Sequence, residues 1–86
     1  MKDCRSREAL REAILEVLGS AGEPLTSAEL LERLREVCGG EVDVFTARMV
    51  LAELVRRGVV ERARGDELRG IPRHVYRLVG AHRQPK

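Results

Sequence analysis

A chain of 86 residues has room for one domain and not for two. Hydrophobic residues make up 43% and charged residues 35%, the balance of a soluble globule with a small core. Aromatics are only 2%, Phe45 and Tyr76, which excludes the stacking platforms of single-strand nucleic-acid binders, and no apolar run is longer than the four residues 49–52, which excludes a membrane helix or secretory signal.

The net charge of +2 hides a polarity: residues 1–43 carry −4 and residues 44–86 carry +6. One end of the molecule is therefore suited to a polyanion, although two solvated faces or a head-to-tail self-contact would use the same asymmetry.

The first periodic segment covers about residues 6–18. Leu10, Ala13, Ile14, Val17 and Leu18 share one helical face, with Asp3 or Ser6 as the cap and Gly19 as the expected stop. A second helix opens with Thr26-Ser27-Ala28-Glu29, the spacing of a capping box, between Leu25 and Leu30 at the positions of a hydrophobic staple. Leu30, Leu31, Leu34, Val37 and Cys38 form its apolar stripe, and Gly39-Gly40 ends it.

A third helix is predicted from the N-cap Asp43 to Arg57, closed by Gly58. Its inward stripe is Val44, Ala47, Leu51, Leu54 and Val55, whereas Phe45, Thr46, Met49, Glu53 and Arg56 face outward with Arg48 and Arg57 on the flanks. A brief glycine-containing link between two capped helices is the helix-turn-helix arrangement.

After Gly58 the period changes to that of strands, over 59–64 and 73–79, joined by a long glycine- and proline-bounded loop over 65–72. Arg62, Arg64, Arg69, Arg73 and Arg77 all fall on this hairpin. Tyr76 alternates with Leu78 and is expected against the core, His74 is expected to be exposed, and residues 1–5 and 80–86 read as tails, the second one basic.

Cys4 and Cys38 are distant in sequence and lack metal-ligand spacing with His74 or His82, so reduced thiols, no metal and a cytoplasmic protein are expected, with Cys38 a small buried apolar group. Lysine occurs only at Lys2 and Lys86, asparagine is absent and Gln84 is the one glutamine, a bias that fits a GC-rich genome, a thermophile habitat, or both.

The order of three helices and a β-hairpin resembles the winged helix-turn-helix domain, an α+β fold, over about residues 6–79. The run Leu25-Thr-Ser-Ala-Glu-Leu-Leu-Glu-Arg-Leu, then Phe45-Thr-Ala-Arg-Met-Val-Leu-Ala-Glu-Leu-Val-Arg-Arg-Gly-Val-Val, then Tyr76-Arg-Leu, is similar to winged-helix transcriptional regulators. A local likeness to the DNA-binding half of the ferric uptake regulator family places Thr46 on the threonine that begins its recognition helix. Arg48 and Met49 stand where that family has tyrosine and arginine, and its metal-binding dimerisation half has no counterpart here, so the fold is carried over and iron sensing is not.

The resemblance implies a third helix in the major groove and a wing on the backbone or in the minor groove. Thr46 and Arg48 are the polar candidates for base edges, Phe45 and Met49 for thymine methyl groups or sugar, and Ser27 at the start of the second helix for a phosphate. Arg56, Arg62, Arg64, Arg69 and Arg73 supply the sequence-independent attraction. The expected function is sequence-specific binding of double-stranded DNA by a homodimeric regulator without a cofactor. The competing reading is a protein-interaction module using Phe45 and Met49, in a transcription, replication or membrane-remodelling assembly. No nucleophile–base pair, phosphate loop or acidic metal cluster points to an enzyme.

Overall fold

The computed structural model describes residues 3–65 and 73–79. The loop expected over 65–72 (apart from Gly65), Arg69 within it, and the tail over 80–86 lie outside the described residues. Helix α1 (Arg7–Ala21) begins at Ser6, whose hydroxyl accepts from the Ala9 amide at 3.0 Å. Asp3 instead accepts from the amide and guanidinium of Arg5, outside the helix. The expected stop at Gly19 is wrong by three residues. An interior glycine costs a helix only about 1 kcal/mol, and the Ser20 hydroxyl donates back to the Glu16 carbonyl across that turn. The chain leaves the helix at Gly22, where φ is +79°, a left-handed conformation that a Cβ would disfavour.

Leu25 and Thr26 form a two-residue strand, β1, that the sequence pattern does not reveal. Helix α2 (Ser27–Val37) then starts with both halves of the capping box in place. Glu29 donates its amide to the Thr26 hydroxyl at 3.1 Å, and its carboxylate accepts from the Thr26 amide at 2.9 Å. That backbone hydrogen bond chiefly holds the Glu29 carboxyl below its ordinary range, with Arg73 and Arg33 adding to the effect. Two left-handed glycines, Gly39 and Gly40, turn the chain into helix α3 (Val44–Arg56).

Asp43 caps α3 more fully than a simple N-cap. One carboxylate oxygen accepts from the Phe45 and Thr46 amides, and the other accepts from the Thr46 hydroxyl at 3.0 Å. The Thr46 hydroxyl, followed by its amide, holds the Asp43 carboxyl below the usual range. A carboxyl depressed on folding stabilises the protein above its unfolded pKa of about 3.9, and that contribution is lost as pH falls through the lower folded value. In thermal melts taken from pH 7 down to pH 3, Asp43→Asn should therefore lose less of its melting temperature than the wild type, because asparagine caps without titrating.

Strands β2 (Val60–Arg64) and β3 (His74–Leu78) pair antiparallel; β2 starts one residue later than the sequence pattern predicts and ends where expected, and β3 is one residue shorter at each end. The sheet has three strands rather than two, in the order β1-β3-β2, because Leu25 and Thr26 pair with Tyr76 and Val75. Leu10, Ile14, Leu25, Leu30, Leu34 and Val60 are fully buried where α1, α2, α3 and the sheet meet. On α3 the buried residues are Ala47, Val50, Leu51 and Leu54; Val50 was missing from the expected stripe, and Val44 and Val55 are half-buried at its margins. Helix-turn-helix, third helix and antiparallel wing together make this α+β arrangement a winged helix.

The cysteines overturn their reading as reduced thiols. Cys4 and Cys38 form a disulfide across 34 residues of sequence, with their Cα atoms 5.7 Å apart. It ties the segment before α1 to the C-cap of α2. Cys38 is half-buried rather than buried. Sequence spacing carries no trace of this approach, which is made only when α1 packs against α2.

Candidate functional site

Strand register decides which way the wing arginines point. Val60, Arg62 and Arg64 share one face of β2 and lie opposite Leu78, Tyr76 and His74 of β3. Val60 is buried, and Tyr76 and Leu78 pack against the core, so this is the helix-facing side of the sheet. Arg62 and Arg64 continue that side beyond the core. The other face carries the cross-strand pair Glu61 and Arg77, joined at 3.0 Å.

Opposite the wing, α3 presents Arg48, Ala52, Val55 and Arg56. With Ser27, Leu51, Arg62 and Tyr76 these line an open groove of about 410 Å³ between the start of α2, α3 and the sheet. Four of the residues singled out from sequence, Ser27, Arg48, Arg56 and Arg62, are thus brought together from three elements. Tyr76 joins them, and its strand alternation was the signal for its half-buried position.

Ion pairing sorts the remaining charges. Glu53 is bonded to Arg57 at 2.9 Å and to Arg7 of α1 at 3.4 Å, so the one acid on the outer part of α3 is neutralised from two sides. Among the described residues Arg48, Arg56, Arg62 and Arg64 make no ion pair or hydrogen bond, and all four are exposed. Arg73 is exposed at the start of β3 and acts electrostatically on Glu29.

The outward ridge of α3 consists of Phe45, Met49, Ala52 and Arg56, one above another at helical spacing. Phe45 is 72% exposed and Met49 42%, the two large apolar side chains that the core leaves out among the described residues. Thr46 departs from its expected place on this ridge: it is half-buried, and its hydroxyl is spent on Asp43. Among the described residues no cluster of three or more His, Cys, Asp or Glu is placed to hold a metal ion, and no helix is long and apolar enough to cross a membrane.

A groove between a recognition helix and a wing is the hallmark of the winged-helix class, and solved structures of transcriptional regulators share the architecture. The ferric uptake regulator of Vibrio cholerae, whose DNA-binding domains undergo a structural rearrangement, is 28% identical to this chain with a TM-score of 0.65. That similarity covers 86% of this chain and 53% of the regulator, so the chain spans about half of its length. A putative transcriptional regulator from Thermoplasma acidophilum is 22% identical with a TM-score of 0.67, covering 90% of this chain and 73% of that one. No protein-family model and no curated protein matches the sequence. The resemblance drawn from the helix and wing motifs thus extends to three dimensions.

Proposed function

We propose that this protein is a transcriptional regulator that binds double-stranded DNA in a sequence-specific manner, with α3 in the major groove and the wing against the backbone. The observation that carries this reading is the segregation of arginines. Arg57 and Arg77 are held in ion pairs, while Arg48, Arg56 and Arg62 have no partner among the described residues and converge on one groove with Arg64 beside it. Free guanidinium groups spaced along a concave surface are what a phosphate backbone recognises, because each contact releases a condensed counterion. Ser27, at the first turn of α2, adds helix amides to the same wall. Arg73 extends the cationic rim from just before β3, and Arg69, which falls between β2 and β3 in sequence, lies outside the described residues. One module of this size buries limited area on DNA, so the working unit in this reading is a homodimer on a two-fold site.

The test is a titration of random-sequence duplex at several salt concentrations. Phosphate contacts by Arg56, Arg62, Arg64 and Arg73 give a slope of about −3.6 in log affinity against log salt for each bound protomer, or roughly a hundred-fold loss between 50 and 200 mM. A flat salt dependence, or no binding at 50 mM, would remove the reading.

A further inference from the structure

We infer that the base readout of α3 is mainly apolar, with Phe45 and Met49 covering thymine 5-methyl groups and Arg48 supplying the hydrogen bonds, so that the preferred half-site combines a guanine with neighbouring thymines. The inference rests on the DNA-binding reading and adds which bases are read and by which side chains.

It follows from what the first turns of α3 have left to offer. A recognition helix reads base edges with its N-terminal residues. Among the side chains there, Thr46 is half-buried and its hydroxyl proton is committed to Asp43, so it has no hydrogen to donate to a base. Glu53, a turn further on, is held by Arg7 and Arg57. Val44 is half-buried, and Ala47 and Val50 are buried. Phe45, Arg48 and Met49 are left as the exposed set over these turns.

Two of these three carry no hydrogen-bonding group suited to an exocyclic amine or a carbonyl. In the major groove the one apolar feature of a base pair is the thymine methyl group. Phe45 and Met49 are four residues apart and therefore about 6 Å apart along the helix axis, close to the spacing of two base steps at about 3.4 Å each. Arg48 lies between them in sequence and on the groove side, where its fork can reach the two acceptors of guanine. What brings such an apolar ridge to a duplex rather than to another protein is its setting, since it is flanked by Arg48, Arg56, Arg62 and Arg64, cations without an ion pair among the described residues.

The experiment starts from a high-affinity duplex selected out of a random pool. Each half-site thymine is then replaced by deoxyuridine, which removes the methyl group and leaves base pairing intact. Wild-type protein should lose affinity about four-fold for each covered methyl group. The double variant Phe45→Ala, Met49→Ala should bind the thymine duplex more weakly and bind the thymine and deoxyuridine duplexes equally. Both positions are exposed, and far-ultraviolet circular dichroism verifies that the variant is folded. Arg48→Ala should relax the preference for guanine without altering the deoxyuridine penalty.

The inference is overturned if wild-type protein binds both duplexes equally, if the penalty persists in the double variant, or if the pool yields no thymine at the central positions. Equal binding together with a steep salt slope would leave the DNA-binding reading standing and would assign Phe45 and Met49 to a protein partner. Absence of duplex binding at low salt would remove both.

Discussion

Reduction of the Cys4–Cys38 bridge should lower the melting temperature by about 15 °C or more, while leaving the far-ultraviolet circular dichroism at 20 °C nearly unchanged. The two cysteines are 34 residues apart, and the bridge closes a loop that contains all of α1 and α2. Closing a loop of that length in the unfolded chain is worth about 3–4 kcal/mol on the chain-entropy account. For a domain below 100 residues each kcal/mol moves the midpoint by about 4–8 °C. Small domains bury a small fraction of their surface, so a cross-link is a large part of their margin. Leu10, Ile14, Leu30 and Leu34 are buried together by apolar packing that does not involve the sulfurs, so the fold should persist when the bridge opens. Melts with and without reductant, repeated on Cys4→Ser, Cys38→Ser, measure the effect, with a thiol assay to show that the bridge has opened. Identical midpoints for the bridged protein and the double variant would mean that the bridge contributes nothing.

That bridge also marks the limit of what the one-dimensional pattern conveys. The helices were readable because their signals are local. A Thr-x-x-Glu capping box, an aspartate N-cap and glycines that accept positive φ act within a few residues of themselves, and α2 and α3 begin where those signals stand. The wing strands were readable from alternation. A strand of two residues has no period to detect, so β1 was invisible, and Leu25 looked like a staple when it also pairs with Tyr76. The candidate site was legible as a list of arginines but not as a selection among them. The i,i+4 pair of Glu53 with Arg57 lies within α3 and needs no tertiary contact, but the second hold on Glu53, by Arg7, depends on how α3 packs against α1, and whether Arg62 or Arg77 faces the helices depends on the register of β2 with β3. Thr46 had a usable signal: it follows Asp43 by three residues, the reach of a side chain to its own cap.

Register is also what makes the wing testable. Replacing Arg62 and Arg64 by alanine should lower the salt slope of duplex binding by about 1.8 for each bound protomer, two contacts at about 0.9 each, which amounts to roughly sixty-fold in affinity at 0.1 M salt. Replacing Glu61 and Arg77 by alanine should leave the slope where it was. Arg62 and Arg64 both lie on β2, Glu61 and Arg77 pair across β2 and β3, and all four side chains are exposed. Each substitution should cost about 0.5 kcal/mol of stability or less, so neither variant is compromised by unfolding. The pairs differ in face and in partnership. Arg62 and Arg64 lie on the side that carries Val60 towards the helices, and neither makes an ion pair among the described residues. Arg77 is already neutralised by Glu61 on the outer side, so removing both leaves net charge and the groove unaltered. General attraction between a basic protein and DNA would respond to net charge alone. A wing laid along the backbone responds to which face the charge occupies, and equal slopes for Arg62→Ala, Arg64→Ala and for the wild type would show that the backbone lies elsewhere.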